Sequence, residues 1–344
     1  RRVLTQDGAG QFAVAPEPMP ELRPGTVLVE VKSCLISPGT ELGGVPDRRK
    51  SPDPSRGARA FGYGNAGVVL VVGEWVEGIE PGMRLACMGA GYAQHASHAV
   101  VPVNLTCPMP DGQSFDEASF AHLAATALQA IRRTQIEFGQ NIAVFGLGIV
   151  GQVAAQLARL SGAHVMAVDR LRMRVEVASK CGADLAVNAA EEDPVERAAS
   201  FSRGHGMDAA IIAFGGDATE AVDQIVGMLK TAPDGHKMGC ITIVGGARFE
   251  AGFPTRFGNL DIRPSSRPGP GYHDEEWEHG RDYPPVFVPW TTRRNIEECL
   301  RSAAEGRLQL EPLITHRFPL AEGPMACNLL VEHPEQALGV ILNP

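Results

Sequence analysis

One stretch constrains this chain more than any other: Asn141 to Phe145 is a short apolar run, and Gly146-Leu147-Gly148-Ile149-Val150-Gly151 follows it directly. A GxGxxG pattern alone is weak. Here it closes a strand, opens a helix, and precedes a second apolar run, His164 to Val168, that ends in Asp169. That context is the one the motif requires. Gly146 permits the tight turn, Gly148 lets backbone approach a pyrophosphate, and Gly151 lets the helix pack on the strand. The first helical amides, at Ile149 and Val150, offer N–H groups and a positive dipole end to phosphate. Asp169 stands eighteen residues after Gly151. A carboxylate there accepts from both ribose hydroxyls of NAD and repels a 2′-phosphate, and Arg170 beside it offsets that only in part. The expected cofactor is therefore NAD, with NADP disfavoured.

The surrounding pattern alternates strand and helix. Strands are expected at 141–145, 164–168, 184–187, 208–212 and 239–244. Helices are expected at 150–161, 170–181, 191–203 and 217–230, the last opened by a capping box from Asp217 to Glu220. Repeated βα units imply a parallel sheet covered on both faces. Residues 1–110 read differently. Val27 to Lys32 alternates apolar and polar, Gly67 to Gly73 is an apolar run between glycines, and Arg84 to Met88 follows a Pro-Gly turn. Short strands with frequent Gly and Pro predict a partly closed barrel. A capping box from Ser114 to Glu117 predicts a helix running to about Arg132. Residues 254–290 are rich in Pro, Gly, Arg and His and form a long loop of the kind that carries function. A helix at 292–305, a strand at 313–318, a helix at 321–332 and a strand at 337–342 complete the chain.

Bulk properties exclude several classes. With 31 Lys and Arg against 40 Asp and Glu, the net charge is −9, which gives nucleic acid or an anionic membrane no electrostatic hold. Ile142 to Leu157, the best candidate span, carries Gln152 and Gln156 besides Gly146, Gly148 and Gly151. The segment from Arg1 to Asp7 has no apolar core and does not read as a signal peptide. Seven cysteines lie at least twenty residues apart, with no CxxC pair, so reduced thiols and a cytoplasmic chain are expected.

The chain resembles the medium-chain dehydrogenase/reductase family over nearly its whole length. Gly62 to Val69 resembles the family's Gly-His-Glu-x-x-Gly-x-Val zinc signature. Val31 to Glu41 resembles the segment bearing its first zinc cysteine, and Leu313 to Phe318 the return to the barrel. The resemblance implies an α/β chain with a GroES-like β-barrel catalytic domain, residues 1–122 and 265–344. It implies a doubly wound Rossmann domain at 123–264. A homodimer joined through Rossmann sheet edges, at a strand near 260–263, is implied too.

The departures from the family decide the expected chemistry. Ser37 replaces the cysteine, and Tyr63 and Gly64 replace His and Glu; Ser, Tyr and Gly are not the thiolate and imidazole that zinc needs. The four-cysteine lobe for structural zinc is absent as well. No zinc is expected at either position, so a side chain must take the hydroxyl proton. His122, four residues before Thr126, is the leading base; the resemblance implies that His122, Tyr63 and Ser37 converge on the former metal position and that Thr40 matches the family's proton-relay hydroxyl. Glu41, His95, Arg267, Tyr272, His273 and Trp277 are the candidate substrate contacts, with Glu41 alternatively orienting one of the relay groups or pairing with an Arg. The segment from Arg263 to Pro284 resembles the medium-chain half of bidomain oxidoreductases found with sugar-processing genes. The resemblance thus implies a zinc-independent NAD-dependent dehydrogenase oxidising a secondary alcohol of a sugar, cyclitol or sugar derivative. The alternatives are an NAD(P)H-dependent reductase of an activated C=C or ketone, like the quinone reductases, a tetrapyrrole side-chain alcohol dehydrogenase, and a non-catalytic dinucleotide-binding protein.

Overall fold

The alternation in Val27 to Lys32 becomes the middle of one long strand, Thr26–Leu35, that organises the N-terminal sheet. Val27, Val29 and Val31 are buried on its core face, as a period of two demands. The computed structural model describes residues 1–250, 252 and 257–344. Residues 254–256 of the expected loop lie outside the described residues.

Two compact units divide the described chain: Arg1–Ala125 with Pro268–Pro344, and Thr126–Arg267. In the first unit Thr26–Leu35 pairs antiparallel with Gly64–Val72, with His98–Pro102 and with Gly339–Asn343. Gly64–Val72 then pairs with Arg84–Met88, and that strand with Thr106–Pro108. Ile314–Pro319 adds to the other end, on Gly339–Asn343. Register shifts at Leu28/Val29 and Val31/Ser33 mark bulges in the long strand, the device that lets a sheet curl toward closure. A three-stranded sheet of Phe12–Pro16, Arg2–Gln6 and Arg59–Ala60 completes this unit.

In the second unit six strands are all parallel, in the order Leu185–Asn188, His164–Asp169, Asn141–Phe145, Ala209–Ile212, Met238–Val244 and Asn259–Ser265. This is the doubly wound order, with its switch point beside the strand that leads into the glycine turn. Ile142, Ala143 and Val144 are wholly buried, which fits a strand covered on both faces. Asn259–Ser265 is the sheet's edge, in the region expected for it.

Two capping expectations met different outcomes. The Ser114 Oγ accepts from the Glu117 amide at 3.2 Å, but the helix it caps ends at Ala118. A second helix, Ala121–Thr134, takes over, so the expected single helix is two. The box at Asp217 does not form. Asp217 accepts from the Thr219 amide at 2.9 Å, while Glu220 turns away to pair with Arg170. Besides the expected edge strand Asn259–Ser265, a short helix, Glu275–Glu278, falls within the stretch expected as a loop. Among the described residues no helix is long and apolar enough to cross a membrane.

Candidate active site

In the first unit Tyr63 sits on a Gly-Tyr-Gly turn that leads into Gly64–Val72. Each flanking glycine has a histidine against it. A β-carbon on Gly62, whose φ is +113°, would lie 2.5 Å from the His95 amide nitrogen and 2.9 Å from its ring Cγ. A β-carbon on Gly64 would lie 2.1 Å from Cε1 and from Nδ1 of His122. The His122 ring meets Tyr63 edge to face, with centroids 4.7 Å apart. Two ring-sized neighbours thus fix the turn, and only glycine leaves room for them.

The Tyr63 hydroxyl donates to Ser37 Oγ at 2.7 Å. Burial, with the Glu41 carboxylate second, pushes the Tyr63 phenol up to about 12 against the lowering effect of its hydrogen bonding with Ser37 and Thr40. Thr40 itself is exposed. Ser37, Tyr63, Thr40 and His122 therefore do gather in one place.

His122 has other properties than those expected of a base. It is 1% exposed, and its Nδ1 lies 3.1 Å from the Ser119 carbonyl oxygen, to which it donates as the neutral tautomer. Burial pushes its imidazole down to about 3, so the ring is neutral at neutral pH and a weak proton acceptor.

Glu41 and His95 are also placed otherwise than expected. Both were candidate substrate contacts, yet the His95 side chain is wholly buried and that of Glu41 is 4% exposed. They face each other, with His95 Nε2 2.8 Å from Glu41 Oε2. The same carboxylate oxygen accepts from the Ser37 amide at 3.0 Å. Burial works to discharge His95, but the Glu41 carboxylate outweighs it and holds the imidazole up to about 10. No local sequence signal points to this pair, because its members lie 54 positions apart.

The remaining candidates divide. Tyr272 is half-buried, and its hydroxyl accepts from the Ala90 amide at 2.9 Å. His273 is exposed, stacks on Tyr272 at 3.8 Å and holds a left-handed φ of +74°. Trp277, by contrast, is 1% exposed, and its Nε1 donates to Asp282 at 2.9 Å. Its indole belongs to the core against Gly271, whose β-carbon would lie 2.4 Å from the ring. Arg267 is exposed with φ of +66°.

In the second unit Gly146 has φ of +87°, and a β-carbon on Gly151 would lie 1.8 Å from the Gly146 carbonyl oxygen. A β-carbon on Gly148 would meet nothing within 4 Å, which is the open approach a pyrophosphate needs. Helix Ile149–Leu160 starts there with no side-chain cap, so the amide cradle at Ile149 and Val150 fits a dinucleotide phosphate. Asp169 accepts from the Leu147 amide at 2.6 Å and from the Leu171 amide at 2.8 Å. Its oxygens keep further lone pairs for ribose hydroxyls. Arg170, expected near the cofactor, is held by Glu220.

Zinc fits the first unit poorly. The donors at the position are two hydroxyls already bonded to each other and a neutral imidazole, and the space of a side chain at residue 64 is filled by His122. No thiolate or carboxylate is offered from Ser37, Tyr63 or Gly64.

A doubly wound nucleotide-binding unit with a GroES-like sheet unit defines the medium-chain dehydrogenase class. Residues 150–277 match the family described as zinc-binding dehydrogenase. D-Guloside 3-dehydrogenase of Shigella flexneri is 29% identical over 240 residues, 67% of this chain and 62% of that enzyme. The match thus spans less than two thirds of that relative's length. Sorbitol dehydrogenase of Mus musculus is 24% identical over 349 residues, 92% of this chain and 89% of that one. The alcohol dehydrogenase from Thermus sp. ATN1 superposes with a TM-score of 0.78 at 23% identity, covering 100% of this chain and 99% of its own.

Proposed function

We propose that this protein is a zinc-independent, NAD-dependent dehydrogenase that oxidises a secondary alcohol of a sugar, cyclitol or sugar derivative. One observation carries the reading: the Tyr63 hydroxyl is bonded to Ser37 Oγ, and these are two of the residues that the resemblance aligns with the family's zinc ligands. Relatives named for guloside and sorbitol support a hydroxyl-rich substrate. Asp169, a carboxylate at the end of the second parallel strand, supports NAD over NADP.

Bound NAD supplies the hydride acceptor. The chain must move the proton. Tyr63 accepts the substrate's hydroxyl proton as its own passes to Ser37 Oγ, and Ser37 releases a proton toward solvent. In the reverse direction the neutral phenol is the acid. His122 walls the site as an uncharged ring, and Thr40 places a further hydroxyl beside the relay. Tyr272 and His273 offer an aromatic face and polar edges to a sugar ring. A homodimer through the Asn259–Ser265 edge and a cytoplasmic location complete the proposal.

Calorimetry with NAD and with NADP, on a sample assayed for zinc, tests it first. Tight NAD binding without metal, followed by turnover of polyols, supports the reading. Stoichiometric zinc or a clear NADP preference overturns it, and the reductase reading then takes its place.

A further inference from the structure

Glu41 and His95 are a large electrostatic investment for a place that no solvent reaches. Removing two charges from water costs several kcal/mol per ion before their attraction returns any of it. Two apolar residues would fill the space at no such cost, so what the pair touches is informative. Glu41 sits on the short helical turn Pro38–Leu42, directly after Ser37. The turn is closed by the Glu41 amide donating to the Ser37 carbonyl at 3.0 Å. The Glu41 carboxylate bends back onto the Ser37 amide, so both backbone polar groups of Ser37 are held by one residue.

His95 anchors the other side. Its amide donates to the Phe61 carbonyl at 3.0 Å, and its carbonyl accepts from the Leu4 amide at 2.9 Å. The Phe61 ring meets its imidazole at right angles, 5.3 Å between centroids. The backbone of His95 also lies against Gly62, one residue before Tyr63. One ion pair thus touches the residues that carry both hydroxyls of the proton relay: Ser37 through its amide, Tyr63 through Gly62.

We propose that Glu41 and His95 are a buried positioning pair that holds the Ser37 and Tyr63 hydroxyls in register for proton transfer. The inference rests on the proton role proposed above for those hydroxyls. The pair touches neither substrate nor cofactor in this role. It acts through geometry and through the field of the Glu41 carboxylate. The titratable groups that bear on Tyr63 are Glu41 from the turn and Tyr272 from the segment after Pro268, with the neutral His122 ring against its edge. Those that bear on His95 are Glu41 and Cys34.

The test reads Tyr63 itself. The chain has four tyrosines, so 13Cζ labelling gives a countable spectrum, and Tyr63→Phe assigns the resonance. Glu41→Gln keeps an acceptor for the Ser37 amide and removes the charge. We expect its Tyr63 ionisation to move to lower pH by about one unit. We expect kcat to fall about ten-fold and KM to stay within about two-fold. His95→Gln, which keeps a donor for Glu41, should likewise change kcat and not KM. If both variants only lower the melting temperature, with the Tyr63 titration and kcat as in the wild type, the pair is packing and the proposal is overturned. Should neither variant fold, the unaltered protein decides. Nitrogen shifts of a doubly protonated His95 at pH 8 uphold the pair, and a neutral His95 overturns it. Neither NMR reading needs turnover, so a protein inactive on polyols removes the proposed function and leaves this test standing.

Discussion

The His122 imidazole lies on Gly64 so closely that one added carbon would sit 2.1 Å from two of its ring atoms. The family's zinc signature carries a glutamate at this position; here a ring from another element fills the space. Gly64→Ala should therefore destabilise the protein by about 2–3 kcal/mol, because neither the buried ring nor the strand can give way. The double variant Gly64→Ala with His122→Ala should recover part of that loss in a denaturant midpoint, since the clash is removed. Equal, additive losses would show that the two residues are not in contact.

The Tyr63 hydroxyl has both a proton to move and, in Ser37 Oγ, a bonded partner to pass it to. Tyr63→Phe keeps the ring against His122 and should lower kcat by roughly 10²–10⁴-fold, with NAD affinity in calorimetry unchanged. Oxidation should also accelerate with pH toward the high value at which this phenol ionises, about 12. A variant that retains wild-type kcat would remove Tyr63 from the reaction and return the search to other groups.

Asp169 ties the glycine turn to the start of the next helix through two backbone amides. Asp169→Ala frees both amides and deletes the charge that repels a 2′-phosphate. NAD affinity should fall about ten-fold or more, and NADP should bind relatively better. Paired titrations of both cofactors check this. An unchanged NAD:NADP ratio would mean that Asp169 serves the fold alone.

What was legible in the sequence follows from which interactions are local. The parallel unit could be read because its central strands, Asn141–Phe145 and Ala209–Ile212, are buried apolar runs and each glycine of the turn answers a backbone demand close by in the chain. The Tyr63, Ser37 and His122 cluster was legible only through the resemblance, which aligned three separate segments. Its electrostatics were not. Whether a histidine is a base or a buried neutral ring depends on what packs around it, and His122 and His95 look alike in sequence. Trp277 shows the same limit: a polar-flanked aromatic reads as a surface contact until Gly271 and Asp282 close over it. The Asp217 box failed for a similar reason, because Arg170, 50 positions away, claims Glu220.

The two buried histidines give stability a pH optimum, and their signs are opposite. His95 is held at about 10 in the fold against an ordinary 6.5. Its contribution is complete below 6.5 and disappears as pH rises through about 10, where the folded protein must give up a proton that it binds more tightly than the unfolded chain. His122 is held at about 3. The unfolded chain takes up that proton first, so the contribution of the neutral buried ring is complete above 6.5 and is lost as pH falls toward 3. Melting temperature measured from about pH 4 to about pH 10 should therefore peak near neutrality. Glu41→Gln should flatten the alkaline side, because a His95 without its carboxylate no longer holds its proton. His122→Leu should flatten the acid side, because no imidazole remains there to be charged on unfolding. Limbs that keep their slopes in these variants would assign the pH dependence to other groups, and His95 would then not be the charged ring of the two nor His122 the neutral one.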